Sequence, residues 1–324
     1  MTSTSTRATE QPLPLILDEV EVVAVERLSP SFVRVELGGP ALSEFGVPGP
    51  TYDLRIKLLF PNDAGRLPSF AGAEESWWDT WLTIPEPERG HLRTYTVRAV
   101  RGEGADTRLV VDLVLHPADG EPGPGSDWAA RAAVGDRLVT MAPRRGSEYG
   151  GIEFASGTAR ELLLVADETA VPAVCSILED LDEDATGLAL LEVPVSGDAT
   201  ALSAQVAPPG VEVVWLPRDG APLGSLLDAE VRRHLRVGGG GAVAVADAEV
   251  DPDLWETPGY SSSGADVDQP VASVGHDLDG LYAWIAGESK VVTGLRRLLV
   301  SELGMDRRQV AFMGYWRRGV AMRS

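Results

Sequence analysis

The run His91-Leu92-Arg93-Thr94-Tyr95-Thr96-Val97-Arg98 gathers several kinds of chemistry in one short stretch. Thr, Tyr and Val favour a pleated, half-buried surface. Side chains alternate across a strand, so Arg93, Tyr95 and Val97 share one face and Thr94, Thr96 and Arg98 the other. An arginine forks two hydrogen bonds onto a phosphate. A tyrosine two residues on, about 6–7 Å along the strand, reaches a polar chain or flat ring attached to that phosphate. The Thr96 hydroxyl suits the edge of such a ring. Taken alone, the run reads equally as an exposed strand with solvated charges.

A second stretch, "HPADGEPGPGSDWAARAAVGDRL", ends one strand and runs through a glycine-rich turn into a helix start. Ser126 or Asp127 caps that helix, and backbone N–H groups at Gly123, Gly125 and Ser126 form an anion nest. A plain turn is the alternative, because Pro and Gly mark turns everywhere.

These residues need a frame. The chain has 324 residues, enough for two domains. Residues 1–15 read as a flexible tail. From 16 to 150 the chain reads as β, with strands in "EVEVVAVERL", "SFVRVELGG", "DLRIKLLF", "LRTYTVRAV", "RLVVDLVLH" and "DRLVTMAP" separated by Gly, Pro and Asp. This pattern predicts an antiparallel barrel or sandwich. The insert "ESWWDTWLTIPEP" is a short helix or exposed loop, with Trp77, Trp78 and Trp81 as a satellite packing cluster. From 160 to 324 apolar strands alternate with helices: "ELLLVA", "DETAVPAVCSILEDL", "GLALLEVP", "VEVVWLP", "GSLLDAEVRRHL", "GAVAVADAE", "LYAWIAG", a helix from Val291 to Leu303 closed by Gly304, and "QVAFMGYW". That alternation predicts a parallel, doubly wound α/β domain. The boundary falls within 146–160.

Composition narrows the function. The formal net charge of −21 excludes nucleic acid as a partner, which needs a basic footprint, and argues equally against an anionic membrane. No apolar run of about 18 residues is present, and the start has no signal-peptide core, so a cytoplasmic protein is expected. The one cysteine, Cys175, lies among helix-core residues and reads as a small buried hydrophobe. Four scattered histidines form no metal-ligand pair, so no bound metal is expected.

A β-barrel followed by a parallel α/β domain is a combination used by flavin-dependent reductases, where the barrel holds the flavin and the second domain delivers a nicotinamide. FAD has the pyrophosphate, ribityl chain and flat ring that Arg-x-Tyr-Thr suits.

The segments "YDLRIKLLFP", "RTYTVR", "HPADGEPGPGSDWA", "ADETAVPA", "YAWIAGE" and "GYWRRG" together resemble, in order, the siderophore-interacting proteins, FAD-containing ferric-siderophore reductases of the ferredoxin–NADP reductase superfamily. The resemblance implies an N-terminal antiparallel β-barrel FAD domain and a C-terminal NAD(P)H domain. It implies that Arg93, Tyr95 and Thr96 hold FAD, with His116, Gly123, Gly125, Ser126 and Trp128 along its phosphate and adenine side. The family has a tighter Gly-Pro-Ala-Ser turn where this chain reads Gly-Pro-Gly-Ser with extra residues before it. The resemblance also places Asp167, Glu168, Thr169 and Ala170, and Ala286, Gly287 and Glu288, at the dinucleotide, the acids as caps or as ribose and nicotinamide contacts. Ordinary helix capping is the competing reading for both groups. Ala166 stands where the family has glycine, and no GxGxxG is present.

An anionic ferric siderophore needs cations in this acidic chain. The resemblance points to Lys57, Arg144, Arg145, Arg317 and Arg318, expected to converge beside the flavin; solvated surface cations are the alternative. The expected reaction carries electrons from NADH or NADPH through FAD to siderophore-bound Fe(III), in a monomer. A 2′-phosphate wants nearby Arg or Lys, and "VSGDATALSAQ" has none, which leans to NADH. A general flavin reductase and a non-catalytic siderophore binder stay as alternatives.

Overall fold

The structure is a computed structural model that describes residues 13–115, 123–237, 245, 250, 254–258, 260–261 and 278–319. The first of its two seven-stranded sheets holds β1 (Leu15–Arg27), β2 (Phe32–Gly38), β3 (Arg55–Phe60), β4 (His91–Thr96), β5 (Ala99–Arg101), β6 (Arg108–Val114) and β7 (Arg137–Pro143). Their order is β4-β3-β7-β1-β2-β6-β5, and every pairing is antiparallel. The single strand expected across 92–100 is two, because the chain changes partners in its middle. The Val97 N–H donates to the Leu54 carbonyl beside β3, and the Arg98 N–H to Val110 on β6, each at 2.8 Å. That handover joins the two margins of the sheet and curls it into a barrel. Alternate residues Ile56, Leu58 and Phe60 point into its core.

The tryptophan insert is helix α1 (Trp77–Thr83). Trp81 packs on Leu59, Leu92 and Val139 on the barrel's outer face, the satellite cluster expected for it. Helix α2 (Pro124–Arg131) packs on the inner core.

The second sheet is built around β8 (Glu161–Ala166), β9 (Thr186–Val193), β10 (Gly210–Pro217), β13 (Leu281–Glu288) and β14 (Val310–Trp316), all parallel. Leu162 and Leu164 of β8 face α3 (Val171–Asp180). Leu163 and Val165 face α5 (Ser225–His234) and α6 (Ser289–Arg296) on the other side. Cover on both faces is why the run is apolar throughout. The short helix α4 (Ser196–Leu202), not anticipated from sequence, follows β9. The helix expected from 291 to 303 holds a π-helical turn over Arg297–Glu302 before Gly304. An antiparallel edge, β11 (Trp255–Thr257) and β12 (Tyr260–Ser261), completes the order β10-β9-β8-β13-β14-β11-β12. The reversal of strand order between β8 and β13 opens a crevice at their carboxyl ends, where doubly wound sheets take ligands. The expected strand "GAVAVADAE" lies mostly, and residues 1–12 of the expected tail wholly, outside the described residues; Leu15 already belongs to β1.

Buried polar contacts fix one sheet against the other. Arg98 donates to both oxygens of Glu179 at 2.6 and 2.5 Å and to Gln205 at 2.9 Å. Asp198 accepts from the Ser29 hydroxyl at 2.6 Å and the Ser31 N–H at 2.8 Å. Asp53, fully buried, accepts from the Phe154 N–H and from the Trp284 indole of β13, each at 3.0 Å. Cys175 is buried, and its thiol is pushed up to about 12 by that burial. No helix among the described residues is long and apolar enough to cross a membrane.

Candidate functional site

The register of β3 against β4 sorts the opening residues by face. Lys57 lies opposite Thr94, and Arg55 opposite Thr96. Those four share the outer face, while Arg93 and Tyr95 lie with Ile56, Leu58 and Phe60 on the inner one.

On the inner face, Phe60 packs its ring edge to face with Tyr95 at 5.8 Å and against Trp128 of α2 at 5.2 Å. This aromatic bridge seats the first turn of α2 against β4. Gly125 is buried there, and a Cβ on it would overlap the Tyr95 hydroxyl. Two motifs about thirty residues apart in sequence thus form one surface. Trp128 is 6% exposed and belongs to the core, a correction to its expected cofactor contact; it anchors the helix. His116 lies outside the described residues. Gly123 is the N-cap residue of α2, and Ser126 stands in its first turn.

Arg93 donates to the neighbouring Leu92 carbonyl at 2.7 Å. Among the described residues no carboxylate lies within ion-pair distance of it, and burial pulls its pKa down. A half-buried guanidinium without a counter-ion is costly. A phosphate between Arg93 and the first turn of α2 removes that cost. These residues fit FAD: a cation for the pyrophosphate, a glycine that lets the turn approach, and a tyrosine beside it.

On the outer face, Thr96 is buried at the seam between the sheets. The Tyr315 hydroxyl of β14 approaches it yet makes no well-formed hydrogen bond among the described residues. Burial raises the Tyr315 pKa. Trp255 stacks on Tyr315 at 6.1 Å, and the Arg55 guanidinium, paired with Glu153, lies 4.1 Å over the Trp255 ring. Sequence reading gave no role to Tyr315, although it stands within "GYWRRG", or to Trp255, which lies in no quoted motif.

The five expected substrate cations separate. Lys57 donates to Thr94 at 3.4 Å, and burial, then the nearby Arg55 charge, lowers its pKa. Arg318 is exposed, and its backbone N–H donates to Glu288 at 3.3 Å. Arg317 is half-buried just beyond β14. Arg144 and Arg145 depart from the expectation. Arg144 pairs with Glu44 and donates to the Leu13 carbonyl at 2.8 Å, and Arg145 donates to the Phe45 carbonyl at 3.1 Å. The bridge between Phe45 and Arg144 brings those acceptors close, so both arginines tie the barrel rim.

At the crevice, the acids turn inward. One Asp167 oxygen accepts from the Thr169 N–H and hydroxyl, at 2.9 and 2.6 Å. The other accepts from the Glu288 N–H at 2.7 Å and the Trp316 indole at 2.8 Å. One side chain therefore joins the ends of β8, β13 and β14. Burial and the adjacent Glu168 push Asp167 up to about 7, against the donors. Gly287 adopts φ 148°, and a Cβ there would lie 2.6 Å from the Asp167 carboxyl, so only glycine lets the strand ends meet. Glu288 accepts from the Lys290 and Val291 N–H groups, at 2.7 and 3.1 Å, and caps α6. Glu168 departs from the expected ribose or nicotinamide contact: it is 3% exposed and bound through both oxygens to Arg218, at 2.6 and 2.9 Å. Ala170 and Ala286 are buried, leaving backbone at this turn for a dinucleotide.

The siderophore-interacting FAD-binding domain profile matches residues 21–147, and the siderophore-interacting protein profile matches residues 159–319. The ferric vibriobactin reductase of Vibrio cholerae is 28% identical over 96% of this chain and 92% of its own. The NADPH-dependent ferric-chelate reductase of Escherichia coli is 28% identical over 92% of each. A siderophore utilization protein from T. fusca superposes with a TM-score of 0.64 at 31% identity over 96% of both chains. Barrel, cradle and crevice agree with these likenesses, and the chain belongs to the siderophore-interacting protein family.

Proposed function

We propose that this protein is an FAD-dependent ferric-siderophore reductase that draws electrons from a reduced nicotinamide and releases Fe(II). The observation that carries the reading is the Arg93–Tyr95–Gly125 surface: a half-buried cation with no carboxylate partner among the described residues shares a strand face with the tyrosine on which the glycine turn rests. When bound there, FAD supplies two-electron acceptance from the nicotinamide and one-electron donation to Fe(III).

The chain's own residues bind, orient and exclude water. Arg93 and the first turn of α2 would hold the pyrophosphate, and Tyr95 would line the same surface. Thr96 and Tyr315 would offer hydroxyls to the flavin from the seam between the sheets. Asp167 holds three strand ends in register, so the crevice presents its backbone to the dinucleotide in one arrangement. Lys57 and Arg318 attract the anionic iron complex against the average acidic field. The proposed setting is the cytoplasm, as a monomer. Supporting it would be an FAD-loaded protein that, given reduced nicotinamide and a ferric siderophore, colours an Fe(II) chelator. A protein that takes up no FAD on reconstitution would remove the reading.

A further inference from the structure

We propose that the protein takes NADH in preference to NADPH, and that Ser196 and Asp219 read the free 2′-hydroxyl of the adenosine ribose. The inference rests on the reading above that the crevice between β8 and β13 takes a nicotinamide dinucleotide.

In the reading above the flavin edge meets Thr96, which lies at the seam with Tyr315 of β14 and Trp255 of β11. That reading puts the nicotinamide on the β13–β14 half. A dinucleotide laid across the strand ends then carries its adenosine over β8, β9 and β10. Those ends hold an acid and a hydroxyl. Asp219 follows β10 with φ 45°, and its carboxylate accepts from the Ser196 N–H at 2.9 Å and from the Ser196 hydroxyl. Arg218 N–H bonds the Val193 carbonyl at 2.9 Å, and Asp219 N–H bonds Pro194 at 3.2 Å, which holds the two turns side by side. Both Ser196 and Asp219 are exposed. A carboxylate with lone pairs to spare accepts hydrogen bonds from ribose hydroxyls and repels a phosphate.

Among the described residues, cations that would welcome a 2′-phosphate are scarce at these strand ends; from the barrel, the Arg27 guanidinium bonds the Ser29 and Pro30 carbonyls, with Pro30 packed against Gly197. From Glu161 to Val231 the sequence holds one, Arg218. Its guanidinium is bound to Glu168 and, at 3.2 Å, to Glu192. The arginines ending α5 lie at the opposite edge of the sheet, where His234 stands 3.9 Å from Glu161 at the start of β8. Arg317 and Arg318 follow β14, four strands from β10, about 19 Å at ordinary strand spacing. Lys290 opens α6 on the β13 half. The E. coli relative is named for NADPH, so the inference separates this chain from it.

The test compares both nucleotides on the FAD-loaded protein, by steady-state reduction and by equilibrium binding of NAD⁺ and NADP⁺. NADH is expected to exceed NADPH about 10-fold or more in kcat/KM, with the difference in KM and in binding. Asp219→Asn keeps a residue tolerant of positive φ and is expected to improve NADPH several-fold while weakening NADH. Ser196→Ala is expected to weaken NADH alone. Equal use of the two, or an NADPH preference lost on Lys290→Ala or Arg318→Ala, would overturn the assignment. Tighter binding of NAD⁺ without flavin reduction would keep it while refuting the reductase reading; no binding of either would refute both.

Discussion

Arg93 and Gly125 are the residues on which the proposed FAD binding turns. Among the described residues the Arg93 guanidinium bonds its neighbour's carbonyl and meets no carboxylate, which suits it to a phosphate. Replacing it with alanine is expected to weaken FAD binding about 10- to 100-fold, the worth of a charge-assisted pair, with little loss of thermal stability in the FAD-free protein. Titration of FAD into each variant, followed by flavin fluorescence, measures this. Gly125→Ala is expected to act from the other side of the cradle, forcing Tyr95 and α2 apart; adding Tyr95→Phe should recover part of the lost affinity by relieving the overlap. The arginine, the tyrosine and the glycine turn were legible in sequence because each carries chemistry in its own residue type. What Arg98 does was not. Its partners Glu179 and Gln205 lie 81 and 107 residues away, and no local pattern announces such a pair. Trp128 misled for the converse reason: a tryptophan beside a binding motif looks like a ligand contact, but its ring fills the space behind the helix.

Among the elements, the ends of β8, β13 and β14 depend on one buried carboxyl group. Asp167 takes four donors from three segments, yet burial and Glu168 push it up to about 7 from its ordinary 3.8. The sign follows from linkage: the native state holds this proton where the unfolded chain has released it. The stabilisation is full below about 4 and is lost as pH rises through about 7. Asp167→Asn keeps one acceptor oxygen, so either the Thr169 pair or the Glu288–Trp316 pair of donors meets an NH2 instead, and the change is expected to lose about 1–3 kcal/mol. The melting-temperature advantage of the native protein over this variant should shrink as pH rises from about 4 to 7; an advantage that stays flat or grows would contradict the assignment. The strands and α3 were legible from apolar runs and helical spacing. The edge hairpin β11–β12 and the short α4 were not, because three or two residues of strand and seven of helix give too little periodicity to read.

Across the whole molecule, the angle between barrel and α/β sheet is fixed by buried ionic and polar contacts. Arg98→Met is expected to cost about 2–3 kcal/mol, less than a fully buried pair because Glu179 is 37% exposed. The change is read in thermal unfolding and in slower nicotinamide-dependent flavin reduction, with Glu179→Leu in the same chain returning part of the stability. At this scale the basic cluster expected from sequence is smaller than five residues, since Arg144 and Arg145 bind the barrel rim. That leaves Lys57, of the five, as the barrel residue proposed to meet the iron complex. The most direct measurement is anaerobic Fe(II)-chelate formation from NADH, the FAD-loaded protein and an anionic ferric siderophore, run beside ferricyanide as a small acceptor. The native protein should yield about two Fe(II) per NADH consumed, and Lys57→Ala should lose most siderophore turnover while keeping ferricyanide reduction. Flavin reduction by NADH with no Fe(II) from any ferric siderophore would contradict the account.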